Sequence, residues 1–322
     1  VPTLVDLPYW FMAGIAVSLG LAFGSFANVV IHRLPRGESV VRPASRCPGC
    51  GKPIRGSDNI PVFGWILLLG RARCCGIRIS PRYPLVEALG GLAGWAVLEM
   101  RVATLPPDTV WWKGLVLFAL YFALVLGLIC AALIDLDHMI LPDSITLGGA
   151  LVGIASVPLR DDVTFVESIA GAAIGFSMIW LPFDRLYRLI RGRAGMGLGD
   201  AKLTLLAGAW FGWPGAVFIL LAGAVQGTLV AVVVFLTQGR IEEPEAVKRE
   251  REEIKAAIEA AEGEERRLLE EELAKDPIAD EPEEGFGKAR IPFGPFLALA
   301  LIEYLLFGRA LVEEYVSFLW RV

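Results

Sequence analysis

Two groups of side chains in this 322-residue chain have types and spacings suited to chemistry. The first is acidic. Asp135, Asp137 and Asp143 follow the apolar run 127–134, and Asp200 stands in Gly197-Leu-Gly-Asp-Ala-Lys-Leu203 at the mouth of another apolar stretch. An Asp near the middle of a membrane helix costs about 2.5–3.5 kcal/mol on insertion scales, so such a residue usually has a function. Two carboxylates that meet cannot both ionise cheaply, and one holds a proton at neutral pH. The ionised member can take a proton from water as it attacks an amide carbonyl. The protonated member polarises that carbonyl and helps the amine leave. Gly197 and Gly199 carry no Cβ and would let an extended substrate backbone approach. The competing reading is structural, with these acids capping helices or pairing with loop arginines. For Asp143, in Pro142-Asp143-Ser144, a helix cap is expected. Asp137, two residues from Asp135 and so on another face, is expected in solvated loop.

The second group is Cys47-Pro-Gly-Cys50, followed by Cys74-Cys75. A Cys-x-x-Cys knuckle with further cysteines about two dozen residues on has the spacing of a four-thiolate zinc site, although the adjacent pair departs from a second Cys-x-x-Cys. Free or redox-active thiols are the alternative. Cys130 lies within an apolar run and is read as packing. The lone histidines, His32 and His138, fall at helix ends and are read as interfacial.

What must position these groups is a membrane bundle. The chain is 55% hydrophobic, above the usual 45–50% of soluble domains. This composition excludes disordered, collagenous and disulfide-rich secreted classes, and a simple soluble enzyme. Apolar stretches lie at about 10–31, 85–104, 112–134, 145–159, 165–183, 201–212, 214–237 and 292–311. A span needs about 20 such residues, and two of these are short. Trp210-Phe-Gly-Trp-Pro214 marks a turn, placed at an interface by its tryptophans. The first stretch has no early basic region and no small-residue cleavage site, so it is read as a span rather than a removed signal peptide. The Val1 start suggests a trimmed or processed terminus.

Charge orients the bundle. Residues 32–84 hold ten Arg/Lys, and 184–199 hold Arg185, Arg188, Arg191 and Arg193. Loops near 101–112 and 159–164 carry little beyond Arg101 and Arg160. By the positive-inside rule, eight spans then put both termini outside and loops 32–84, 135–144, 184–200 and 238–291 in the cytoplasm. This brings Asp135 and Asp200 to one face and the cysteines into a reducing compartment, where stable disulfides are not expected. Residues 239–290 hold 18 acidic and 10 basic residues against 17 and 20 in the rest. A long charged helix or hairpin is expected there, as a solvated insertion or a docking element. Nothing in the charge pattern points to nucleic acid.

The ordered motifs resemble one family. They are Gly24-Ser-Phe-Ala-Asn-Val-Val-Ile-His-Arg-Leu-Pro-Arg36, the cysteine loop, Ile79-Ser-Pro-Arg-Tyr-Pro-Leu-Val-Glu87, Ala132-Leu-Ile-Asp135-Leu-Asp with Leu141-Pro-Asp143, Gly197-Leu-Gly-Asp200-Ala-Lys202, and Ile291-Pro-Phe-Gly-Pro-Phe296. Together they resemble the type IV prepilin peptidases, bifunctional leader peptidases and N-methyltransferases, over nearly the whole chain except the acidic insertion. The resemblance implies a G-x-G-D aspartic protease of the bacterial inner membrane, with its active site at the cytoplasmic face and Asp135 and Asp200 as the catalytic pair. It implies cleavage of a short basic leader from prepilins and pseudopilins after a Gly, then methylation of the new N-terminal residue with S-adenosylmethionine. The long N-terminal loop matches the bifunctional form. The family's second Cys-x-x-Cys falls on Ala72 and Cys75, so Cys74 stands as the substitute in a zinc site of Cys47, Cys50, Cys74 and Cys75. Glu87 and Lys202 fall on motif positions and suit an ion pair near the membrane face or catalysis. No glycine-rich signature of soluble methyltransferases is present, so the sequence does not place the S-adenosylmethionine site.

The expected architecture is an all-α polytopic membrane protein of about eight transmembrane helices. It divides into a first helix (1–31), a cytoplasmic loop subdomain (32–84), a protease core (85–238), an acidic insertion (239–290) and a last helix (291–322). Its expected partners are prepilin or pseudopilin substrates and membrane lipid. The alternative from another class is an ion- or proton-coupled transporter using intramembrane acids. That reading calls for acids at the midplane and repeated halves, whereas here they cluster at one face.

Overall fold

The computed structural model describes residues 3–191, 197–238, 245–275 and 292–308. Among these residues every regular element is helical, with only isolated bridges as extended pairing. The helices are α1 (Tyr9–Arg33), α2 (Phe63–Leu67), α3 (Arg82–Val97), α4 (Trp111–His138), α5 (Asp143–Ala155), α6 (Phe165–Ile179), α7 (Tyr187–Arg191), α8 (Leu198–Gln238), α9 (Glu245–Ala260), α10 (Gly263–Lys275) and α11 (Gly294–Glu303). π-Helical turns extend α3, α6 and α11. Four runs are long and apolar enough to cross a membrane: Tyr9–Arg36, Trp111–His138, Phe165–Ile190 and Leu198–Thr237. Asp143–Ala155 and Gly294–Gly308 are shorter apolar helices. The chain is thus a helical, multi-pass membrane protein. Its contacts divide it into two compact units, Val1–Cys130 with Leu305–Val322, and Ala131–Tyr304.

In the first unit, α1 and α3 meet through glycines. A Cβ on Gly20 would lie 2.8 Å from Gly91 Cα, and one on Gly24 would lie 2.8 Å from Glu87 Cα. Small residues that let the two backbones touch supply the packing. Phe23 and Phe122 join α1 to α4 edge to face, with ring centroids 5.9 Å apart. Between α1 and α3 the chain makes a polar excursion that carries α2 and the cysteines.

In the second unit, α8 covers two of the apolar stretches because it breaks at Gly212 (φ 70°, ψ −173°). Only glycine adopts such a backbone cheaply, and Pro214 lacks the N–H that would bond Trp210 O within a helix. The orphaned carbonyls find side chains instead. Arg160 donates to Trp210 O at 2.6 Å, and Ser168 Oγ donates to Ala209 O at 2.6 Å; Arg160 also reaches Gly153 O in the last turn of α5 at 3.0 Å. The expected Trp-Phe-Gly-Trp-Pro turn is therefore real, and Arg160 is buried rather than a loop charge. A capping box, Thr164 with Glu167, starts α6.

Two expectations need correction. Asp137 is not in a loop, because α4 continues to His138. Asp143 is the first residue of α5 behind Pro142 and makes no cap bond; its carboxylate instead takes a hydrogen bond from Lys202 Nζ at 2.6 Å. The acidic insertion contains two successive helices, α9 and α10, with Gly263 at the start of α10 in the left-handed region. Residues 239–244 and 276–291 around these helices, the arginine Arg193, and the chain from residue 309 lie outside the described residues.

Candidate active site and thiolate cluster

Helix α4 ends one turn after Asp135, α8 begins two residues before Asp200, and α11 begins at Gly294. These three ends meet within the second unit. The Asp135 side chain is only 5% exposed, and the backbone of Gly294 hydrogen-bonds to its carboxylate. A Cβ at 294 would fall 2.5 Å from Asp135 Oδ2. Leu141 packs between: it would lie 3.1 Å from a Cβ on Gly199 and 3.1 Å from one on Gly294. Asp200 lies close enough to Asp135 to interact with its charge. The structure thus brings together the two acids singled out from the sequence, while Asp143 pairs with Lys202 beside them. Gly294 had no role assigned from sequence, although Phe-Gly-Pro at a helix start was a signal that a backbone approaches something closely there. Two neighbouring carboxylates, one buried and the other beside a glycine-bordered entry, can share a proton and activate a water.

In the first unit, the cysteines occupy two similar knuckles. In one, Cys47 N–H donates to Lys52 O at 2.8 Å and Gly51 N–H to Cys47 O at 2.9 Å. In the other, Ala72 N–H donates to Ile77 O at 2.9 Å and Gly76 N–H to Ala72 O at 2.8 Å. Both close on a glycine at positive φ, Gly51 (69°) and Gly76 (72°). Ala72 therefore stands where Cys47 stands, and Cys75 where Cys50 stands. Cys74, one residue earlier, brings the fourth sulfur. Cys47 Sγ is 3.6 Å from Cys75 Sγ, and Cys50 Sγ is 3.3 Å from Cys74 Sγ. All four lie within 4.8 Å of one another. A tetrahedral zinc with bonds of about 2.3 Å sets its sulfurs about 3.8 Å apart, so the cluster matches the ion in size and donor type. Backbone N–H groups of Gly49 and Cys50 pull the Cys47 thiol down to about 6. Hydrogen bonds with Cys50 and Cys47 push Cys74 up to about 12.

Glu87 has a structural bond among the described residues, as the acceptor for a backbone N–H. Its Oε2 accepts the Val62 N–H at 2.6 Å.

Comparison with known proteins decides the family. Residues 18–100 match the bacterial peptidase A24 N-terminal domain, and residues 122–232 match the type IV leader peptidase family. A prepilin leader peptidase/N-methyltransferase from Myxococcus xanthus is 38% identical over 312 residues, covering 90% of this chain and 88% of the relative. This chain belongs to the type IV leader peptidase family. A family member from Stutzerimonas stutzeri with the same description is 30% identical over 327 residues, covering 94% of this chain and 93% of its own. One from Klebsiella pneumoniae is 40% identical over 200 residues, covering 60% and 82%. No solved structure matched the chain. Leader peptidase relatives of this extent do not favour the transporter alternative.

Proposed function

We propose that this protein cleaves the leader peptide of prepilins and N-methylates the new N-terminus, with Asp135 and Asp200 as the catalytic pair. The observation that carries the assignment of residues is the meeting of Asp135, Asp200 and Gly294 at three helix ends. One carboxylate takes a proton from the attacking water. Its partner, protonated, polarises the scissile carbonyl and then gives its proton to the departing amine. Gly197, where a Cβ would meet nothing nearer than Gly199 N at 3.9 Å, leaves room for an extended substrate backbone, while Gly199 seats Leu141. Lys202, held to Asp143 at 2.6 Å, ties the start of α8 to the start of α5 and so fixes Asp200.

Cys47, Cys50, Cys74 and Cys75 hold a structural zinc that closes the loop subdomain of residues 32–84; residues 85–238 carry the protease core. The protein sits in the bacterial inner membrane with Asp135 and Asp200 at the cytoplasmic face, serving type IV pilus or type II secretion substrates. The methyl group comes from S-adenosylmethionine. Cleavage of a purified prepilin in liposomes tests the assignment. Asp135→Asn and Asp200→Asn should each abolish cleavage in protein that still folds, and Asp137→Asn should be much milder. Near wild-type cleavage by Asp135→Asn protein would sink it.

A further inference from the structure

The turn that joins α4 to α5, residues 139–142, buries one apolar side chain beside the two carboxylates. Met139 ends α4 with its N–H on Asp135 O at 2.8 Å and its φ at 54°, the left-handed conformation that closes many helices. The chain then reverses, so that Ile140 is 48% exposed while Leu141 is 8% exposed. Thr146 Oγ1 donates to Pro142 O at 3.2 Å and holds the turn from the α5 side. Leu141 reaches the starts of two other helices. Its Cβ and Cδ1 each stand 3.1 Å from where a Cβ on Gly199 would lie, and Cδ1 stands 3.1 Å from where one on Gly294 would lie. The Asp135 carboxylate converges on that same point over Gly294, with Oδ2 at 2.5 Å. Leu141 is thus an apolar wall, with Gly199 and Asp200 on one side and Gly294 and Asp135 on the other. Two glycines give it this place, since a methyl group on either would press on it. It has no part in the proton transfers derived above.

Resting on the reading of this chain as a leader peptidase, we infer that Leu141 determines specificity at the cut: it fills the space where a side chain on the residue before the scissile bond would stand, and so selects glycine there. The carbonyl under attack must come within hydrogen-bond reach of the pair, about 3 Å. Its carbon is bonded to the Cα of the residue on the amino side of the cut, and a Cβ on that residue would follow only about 2.5 Å away. A carbon brought so close to Asp135 and Asp200 meets the Leu141 methyl groups. They have no slack to give, being seated against Gly199 and Gly294. Glycine brings no such carbon. One methylene more or less in an apolar site changes relative rates by about 10- to 200-fold, which sets the size of the discrimination. The wall acts on this one position, because at Gly197, on the entry side, a Cβ would meet nothing nearer than 3.9 Å.

Two prepilins that differ only in glycine or alanine before the cut bond test this on purified full-length protein. Wild-type protein should cleave the alanine form at least about tenfold more slowly. Leu141→Ala should shrink that ratio several-fold or more, Leu141→Val should fall between, and Ile140→Ala should leave it unchanged. Equal rates in wild type overturn the assignment. So does a ratio that stays at the wild-type value in both Leu141 variants, whether the two rates fall together or not at all, because a merely structural leucine would act on both substrates alike. Cross-linking reads the same contact without turnover, and so serves where a variant is too slow to assay. Leu141→Cys in protein carrying Asp200→Asn should form a disulfide, under an added oxidant, with a cysteine placed before the cut bond of the prepilin; Ile140→Cys should not. Absence of the disulfide at 141 overturns the assignment as well. A wild-type protein that cleaves neither prepilin removes the leader peptidase reading itself.

Discussion

Replacing Gly294 by alanine adds one methyl group where the chain has least room for it. The new carbon would lie 2.5 Å from Asp135 Oδ2 and 3.1 Å from both Asp135 Cγ and Leu141 Cδ1. Carbon–oxygen contacts settle at about 3.3 Å or more, so the carboxylate must retreat by roughly 0.8 Å. Overpacking of this kind costs about 1–3 kcal/mol, of which about 1 kcal/mol is returned because alanine prefers a helix to glycine. The fold should therefore lose at most about 2 kcal/mol. Catalysis should lose more, since a displacement of about 1 Å costs on the order of a hundredfold in rate, or about 2.7 kcal/mol of barrier. Gly148 on α5 is the control, because a Cβ there meets nothing within 4 Å; Gly148→Ala should keep full activity. Single-turnover cleavage of a prepilin at saturating enzyme, alongside thermal melting, separates the two effects. Gly294→Ala protein that melts like wild type and cleaves within threefold of it would refute the placement of Asp135 in the active site.

Purified, unchelated protein should hold about one zinc per chain, and Cys47→Ser should lower that content; elemental analysis finding no metal removes the zinc assignment. Lys202→Met and Asp143→Asn should each cost little, and a double-mutant cycle in melting should show coupling of about 0.2–1 kcal/mol between these partly exposed partners. Additive effects would mean the pair is not formed. Exchanging residues 242–284 for a short Gly/Ser linker should leave the maximal cleavage rate within a few-fold, with any loss confined to low substrate and fading as salt rises, because an acidic arm assists encounter over a screening length of about 8 Å. Loss of turnover at saturating prepilin, in protein that still inserts, would show that the insertion belongs to the active structure.

Local chemistry made much of this legible. Trp210-Phe-Gly-Trp-Pro214 announces its own break, since a positive φ needs Gly212 and Pro214 cannot donate. Cys47-Pro-Gly-Cys50-Gly51 announces a knuckle by the same logic. Asp135 and Asp200 stood out because carboxylates are expensive beside apolar helices. What stayed hidden depends on pairings between distant segments. Nothing near Asp135 in sequence says that Gly294 will press on it, and nothing near Asp143 says that Lys202 will claim the carboxylate that might have capped α5. Arg160 counted as a loop charge until its carbonyl partners were seen. The first unit's cavity of about 750 Å³, with Tyr83 and Glu87 in its wall, is built from α1, α3 and the loop between them, so no single stretch contains its pattern.

The glycine contacts between α1 and α3 set the order in which this half of the molecule can be made. During synthesis the cysteine loop leaves the ribosome before α3 does, and at that stage it is tethered at one end only. Its two knuckles are local turns and can form at once. The wall supplied by Glu87 and Tyr83 cannot, and Val62, at φ 63°, has nothing to hold its strained backbone until Glu87 arrives. Once the glycines of α3 seat against Gly20 and Gly24, the two ends of the loop are held together. Closing a long loop costs only slowly more with its length, so this one clasp turns a nascent, open strap into a walled chamber.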